Sequence, residues 1–371
     1  MNALADLQTP ALLLERAKLD ANWRRMAAHI AALGPSLRLH VKTAKSLEAV
    51  RRLHGAHPGP ICVSTLKEAE VFGSHGYRDV LYTVALAPNK VGRAAALASS
   101  GMRLKVVVDN VELARALAGA PLDVLIEIDS DGHRAGLRPD DARLLEVARA
   151  LAGGGATVAG VMTHAGASYN CASTEAIRAM AAQERDAAVQ AARRLRDAGF
   201  AAPVVSVGST PTATFADDLA GVTEVRAGVF VFFDLVMAGI DVCGTGDIAL
   251  SVLATVIGHQ EDKGWALIDA GWMALSRDRG TARQRVDQGY GLVCDAAGKP
   301  IDGLIVVDAN QEHGIVAHRS GDPGKLPEIP VGALLRILPN HACATAAQHG
   351  RYLVLGDTGQ IEAAWERFSG W

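Results

Sequence analysis

The chain has 371 residues, of which 49% are hydrophobic and 21% charged, with a formal net charge of -3. That is a globular composition, long enough for two cores, and the lack of a basic block argues against nucleic acid or an anionic membrane as the main partner. The N-terminal residues lack a basic region followed by an apolar core, no apolar run reaches membrane-spanning length, and the five scattered cysteines form no C-x-x-C pair. A reducing cytoplasm is the expected location.

From about Thr9 to Phe233, short β-branched or apolar runs alternate with longer Ala/Leu/Arg-rich stretches. Candidate strands fall at 37–41, 60–63, 79–83, 104–108, 123–128, 157–162, 204–207 and 223–227. Amphipathic helical segments fall between them at 19–33, 46–53, 66–74, 110–117, 139–151 and 174–198. Eight such alternations predict an α/β fold of the (β/α)₈ TIM-type barrel class, with an open α/β sheet as the alternative. After about Gly239 short strand-like runs at 248–257, 265–268, 289–294, 304–309, 315–317 and 334–338 follow one another at all-β spacing. The expected division is therefore a barrel over 1–238, whose first residues are free to add a strand to the second domain, and a mainly-β domain over 239–371.

Chemistry in a barrel gathers at the C-terminal ends of its strands. The first ends His40-Val41-Lys42-Thr43. Its period of two puts Arg38, His40 and Lys42 on one face, and a lysine there is either an ion-pair partner or an amine suited to Schiff-base chemistry. The fifth runs into a charged, glycine-rich loop holding Asp129, His133 and Arg134, and the sixth ends Thr163-His164-Ala165-Gly166, with Tyr169 following. The seventh leads into Gly208-Ser209-Thr210-Pro211-Thr212 and the eighth into Gly228-Val229. Gly, Ser and Thr suit ordinary turns, but at these two positions they also suit a phosphate cradle. Together with the lysine and an aromatic hydroxyl they are the parts needed to hold pyridoxal 5′-phosphate.

Near the C-terminus, Leu338-Pro339-Asn340-His341-Ala342-Cys343 sets an imidazole and a thiol two residues apart. In extended backbone the two side chains share a side, so the pair is expected either to hold one divalent metal such as Zn²⁺ or to be a buried cysteine beside a hydrogen-bonded histidine. Two ligands fall short of the four that a structural zinc site needs.

Thr9-Pro10-Ala11, His40-Val41-Lys42-Thr43, Thr163-His164-Ala165-Gly166, Gly208-Ser209-Thr210-Pro211-Thr212, Asp269-Ala270-Gly271-Trp272 and Asn340-His341-Ala342-Cys343 resemble the fold-type III, alanine-racemase-like pyridoxal phosphate enzymes. The resemblance is to the branch of D-threonine aldolases and metal-dependent D-serine dehydratases. It implies that Lys42 carries the cofactor covalently and that Gly208, Ser209 and Thr210, with Gly228 and Val229, hold its phosphate. Arg134 would lie near the phenolic oxygen, and Tyr169 and His164 near the ring. His341 and Cys343 would bind the catalytic Zn²⁺, Mn²⁺ or Co²⁺. His-x-Cys, rather than the aldolases' His-x-Asp, implies loss of the β-hydroxyl from a D-3-hydroxy amino acid such as D-3-hydroxyaspartate or D-serine, giving a 2-oxo acid and ammonia. Retro-aldol cleavage to glycine and an aldehyde is the alternative. Phe230 departs from the tyrosine that relatives often carry, Arg277, Arg279 and Arg283 are candidates for a second substrate carboxylate, and a homodimer is implied.

Overall fold

The computed structural model describes residues 4–371. The chain divides into two compact units, one of residues 24–45, 50–228 and 369–371, the other of the residues up to 23, 46–49 and 229–368. The expected boundary after residue 238 thus falls later than this division. Strand β1 (Ala11–Glu15) belongs to the second unit. The next eight strands close the first: β2 (Ser36–His40), β3 (Ile61–Val63), β4 (Asp79–Ala85), β5 (Arg103–Val108), β6 (Asp123–Ile128), β7 (Thr157–Thr163), β8 (Val204–Val207) and β9 (Glu224–Ala227).

All neighbouring pairs in this barrel are parallel, and β9 returns to β2. Strands buried on both faces need near-continuous apolar runs, and Val106-Val107-Val108 and Val124 to Ile126 are fully buried. The register sets His40 beside Cys62 and Cys62 beside Leu81, and Cys62, Leu81, Val107, Leu125 and Met162 pack into one apolar cluster. Below it the bore is polar. Arg38 bonds Glu224 through Nε at 2.8 Å and pairs with Asp79 at 2.8 Å, while Lys105 Nζ meets Asp79 at 3.0 Å. The helices follow their local signals: Thr65, Asn110 and Ser173 each accept a backbone N–H of the turn they precede. Helices at Val91–Ser99 and Thr210–Phe215, which carry Gly92 and Pro211 in their first turns, are not among those expected from the sequence.

The second unit holds β10 (Leu250–Gln260), β11 (Trp265–Ile268), β12 (Leu292–Cys294), β13 (Pro300–Ala309), β14 (Gly314–His318), β15 (Leu334–Leu338), β16 (Arg351–Leu355) and β17 (Ile361–Glu366). Their order is β11-β14-β13-β12-β15-β10-β1-β16-β17, and β11 also pairs with β10, so the first six strands form a closed circuit. β1 runs antiparallel to β10 and parallel to β16. The run expected from Gly289 starts as a strand only at Leu292, because Gly289 and Gly291 have φ of 60° and 150°. The β16–β17 hairpin is not expected from the sequence because β17, alternating with glutamates, lacks a continuous apolar run. No helix among the described residues is long and apolar enough to cross a membrane.

Candidate active site

In the barrel unit, β2 ends at His40, and Lys42 lies in the turn beyond it, its side chain exposed while Arg38 and His40 are buried. The Lys45 amide donates to the Val41 carbonyl at 2.8 Å and closes that turn. Lys45 itself sits at φ 42° and pairs with the buried Glu68 at 3.2 Å. His40 Nε2 is 3.0 Å from Thr83 Oγ1, which donates to the Val63 carbonyl, so Nε2 carries the proton. Burial, and then the charges of Lys42 and Arg226, hold the His40 ring far below its ordinary pKa. His164 is neutral for the same reasons: burial, with Arg226 and Lys42 adding to it, pushes it down to about 3 against the pull of its bond to Gly208. Its Nδ1 lies 3.0 Å from the Gly208 carbonyl, an acceptor only, so Nδ1 is the protonated nitrogen. Tyr169 stands with its ring 6.2 Å from that of His164.

The loops after β7 and β8 are tied together by Glu184, a residue of the helix Thr174–Asp197 that is 1% exposed. Its Oε1 accepts the Ala165 amide at 2.9 Å and the Gly208 amide at 3.0 Å, and Thr212 bonds it too. Burial raises its pKa against those donors. The Gly208 N–H is thereby committed to Glu184. Glycine is needed there because φ is 134° and a Cβ would lie 2.2 Å from the Arg226 carbonyl oxygen. Ser209 caps the helix Thr210–Phe215 in a capping box with Thr212, and its hydroxyl is 2.9 Å from that of Ser168. Gly228 closes the opposite side, where a Cβ would meet the His40 carbonyl at 2.9 Å. A lysine amine, two neutral imidazoles, a hydroxyl-rich helix start and two glycines at close backbone approaches are a donor set that fits pyridoxal phosphate. Arg134 is exposed, 3.8 Å from Glu127, whose carboxyl burial raises. Arg226, on β9 beside β2, donates to Ser206 at 2.8 Å and to the Thr163 carbonyl.

Val229 opens a short 3-10 turn assigned to the second unit, and Phe230 within it is buried, stacked on Trp23 at 6.1 Å. There too lies the His–Cys pair, and its backbone is not the extended one expected. His341 is the extended N-cap (φ -133°) of a helix, Ala342–Ala346, so Cys343 sits in the first turn. The pair is in hydrogen-bond contact all the same. The other side of the imidazole is fixed: Nδ1 lies 2.6 Å from Asp278 Oδ2. Burial works against charge on the ring, but Asp278, then Cys343 and Asp234, hold its proton up to about 11. Asp234 is buried and accepts the Ala342 and Met237 amides. Asn340 donates to the Gly289 carbonyl at 2.7 Å and accepts from Thr281, so the loop 276–289 is pinned under the pair. Among the described residues no group of three or more His, Cys, Asp or Glu side chains is placed to hold a metal. An imidazole and a thiol in contact, with a carboxylate behind the imidazole, fit an open two-ligand site for a borderline divalent cation. Asp278, Asp234, Glu184 and Arg226 are not legible in the sequence, where nothing local marks a charged residue that bonds a partner far along the chain.

Residues 14–236 match the family model "Alanine racemase, N-terminal domain", and residues 249–355 match "Putative serine dehydratase domain". The chain belongs to the alanine racemase-like family. Its members share the pyridoxal phosphate fold-type III barrel with a second, mainly antiparallel domain. Within it, the chain is 51% identical to D-threo-3-hydroxyaspartate dehydratase of Delftia sp. (strain HT23), covering 100% of both chains, and the solved structure of that protein superposes with a TM-score of 0.96. D-serine dehydratase of Dictyostelium discoideum is 29% identical, with 96% of this chain and 95% of that protein covered. D-threonine aldolase from Filomicrobium marinum is more distant, at 28% identity and a TM-score of 0.82, with 98% and 96% of the two chains covered.

Proposed function

We propose that this protein is a pyridoxal phosphate- and divalent metal-dependent dehydratase of D-3-hydroxy amino acids, converting D-threo-3-hydroxyaspartate to oxaloacetate and ammonia and acting also on D-serine. The observation that carries the reading is the contacting His341–Cys343 pair, backed by Asp278, in a chain 51% identical over its whole length to a dehydratase of that name. A cysteine-to-alanine mutant of a dehydratase of that name has been solved in a metal-free form, which supports a metal here.

Lys42 would carry the cofactor and, once released from it, accept the proton from the substrate's Cα. Bound pyridoxal phosphate supplies the electron sink for the carbanion. His164 and His40, both neutral, add no charge of their own, and Arg226 and Arg134 near them suit an anionic cofactor and substrate. Ser209, Thr210, Gly228 and Val229 would receive the phosphate, Gly208 shaping the turn beside it, with Arg134 and Tyr169 around the ring. His341 and Cys343 would hold Zn²⁺, Mn²⁺ or Co²⁺, which supplies Lewis-acid assistance to departure of the β-hydroxyl. Water leaves, the resulting enamine tautomerises to an imine, and water returns to release ammonia and the 2-oxo acid. A cytoplasmic homodimer extends the same reading.

The test is a panel of D- and L-3-hydroxy amino acids, with and without chelator. Ammonia with oxo acid, lost on chelation and restored by metal, is the expected result; glycine with an aldehyde would establish the aldolase instead. Lys42→Ala should lose turnover together with the cofactor's visible band near about 410–430 nm. Normal turnover in that variant would overturn the assignment.

A further inference from the structure

The second carboxylate of a 3-hydroxyaspartate needs a cation, and the loop 276–289 narrows the choice. In that substrate the distal carboxylate hangs on the carbon that bears the departing hydroxyl, so its counter-charge must stand beside the His341–Cys343 pair. Arg279 is already committed: its guanidinium lies 2.7 Å from Asp287 and 5.0 Å from the Tyr290 ring. Arg285 is paired with Asp241 at 2.7 Å. Arg283 is exposed, with neither ion pair nor ring contact among the described residues.

Arg277 differs from all three. It is exposed like Arg283, but its guanidinium lies 5.0 Å from the Trp272 ring, and among the described residues no carboxylate pairs with it. A guanidinium over an indole face meets the ring without using its N–H donors on another acceptor, which leaves them for a bidentate carboxylate. Its backbone is fixed from both sides. Ser276 before it sits at φ 77°, a conformation that only a constrained loop imposes on a side-chain-bearing residue, and the Ser276 hydroxyl accepts the Asp278 amide at 3.0 Å. Asp278 after it bonds His341, and its carbonyl accepts from Asn340. Adjacent Cα atoms are about 3.8 Å apart, so the backbone of Arg277 starts one residue from the carboxylate that orients the metal ligand.

We propose that Arg277, ordered by Trp272, is the specificity-determining residue that binds the distal carboxylate of a D-3-hydroxy dicarboxylic amino acid. The proposal rests on the dehydratase reading above and adds to it the choice of a dicarboxylate substrate over D-serine.

The test compares kcat/KM for D-threo-3-hydroxyaspartate and for D-serine in the cofactor- and metal-loaded wild type, Arg277→Gln, Arg277→Lys and Arg279→Gln. A charge-assisted bidentate contact corresponds to a change of about 30-fold. Arg277→Gln should lower the ratio of the two kcat/KM values by about that factor, mainly through KM, with part recovered in Arg277→Lys. Arg279→Gln should move it less than about threefold by the same reckoning. An unchanged ratio in Arg277→Gln, or an equal fall in Arg279→Gln, would overturn the assignment. If D-serine is turned over too slowly to measure, the inhibition constants of succinate and butyrate supply the same ratio, and the same two outcomes would overturn it. Absence of oxo acid from both substrates in the wild type would instead sink the dehydratase reading itself.

Discussion

His341 has two ring nitrogens, and Asp278 decides which one faces Cys343. With Nδ1 bonded to that carboxylate at 2.6 Å, Nε2 is the nitrogen left for a cation, and the ring cannot rotate without breaking a charged hydrogen bond. The same contact favours the charged ring, so a cation on Nε2 would displace a proton. Asp278→Asn preserves the shape and removes the charge. Titration of metal-free protein with Co²⁺ should show an affinity lower by about 10- to 100-fold, the range for a lost partner behind a ligand. A change within a factor of three, with an unchanged melting temperature, would make Asp278 a bystander. His341 and Cys343 themselves are legible in the sequence because their spacing is local. Asp278 is not, since 63 residues separate it from its histidine and an aspartate in an Arg-rich loop reads as ordinary surface.

The helix Thr174–Asp197 does more than cover the barrel. Through Glu184 it holds the Ala165 and Gly208 amides on a single oxygen, and through the Gly208 carbonyl it fixes the tautomer of His164. Two loops that the sequence presents as separate strand ends therefore move as one. Glu184→Ala would leave two buried N–H groups unpaired, each at a cost of about 1–3 kcal/mol. The expected outcome is a lower melting temperature with weaker uptake of pyridoxal phosphate, followed by absorbance. Undiminished cofactor affinity would show that the brace serves stability alone. The helix itself is plain in the sequence, where Ser173 and the Ala/Leu spacing mark it, but a glutamate on a helix is assigned by default to solvent. Only the packing of this helix beneath β7 and β8 reveals a carboxylate that is 1% exposed.

At the scale of the whole molecule, closure of the barrel is an electrostatic matter as well as an apolar one. Arg38 on β2 meets Glu224 on β9 at 2.7 Å, and Asp79 on β4 joins Arg38 to Lys105 on β5. Burial disfavours the Asp79 charge, yet Arg38 and then Lys105 outweigh it and hold the carboxyl below its ordinary value. A folded-state pKa below the unfolded one gives stability that is complete above the unfolded value and is lost as pH falls through the folded one. Melting temperature should accordingly drop on acidification below about pH 4, where a free aspartate titrates, and Asp79→Asn should flatten that drop. An identical acid profile in the variant would remove Asp79 from the account.

Local pattern alone determined the eight barrel strands, the lysine at the end of the first, the glycine and hydroxyl turns after the last two, and the His–Cys pair, because each is written within a few neighbouring residues. Tertiary structure decided the rest. It placed β1 between β10 and β16 in the second unit's sheet and made the His–Cys segment a helix start in place of extended backbone. It also brought Asp278 to His341, and Glu184 to Gly208. Periodicity records which face of an element is apolar, whereas the partner of a buried charge is chosen only when distant segments meet.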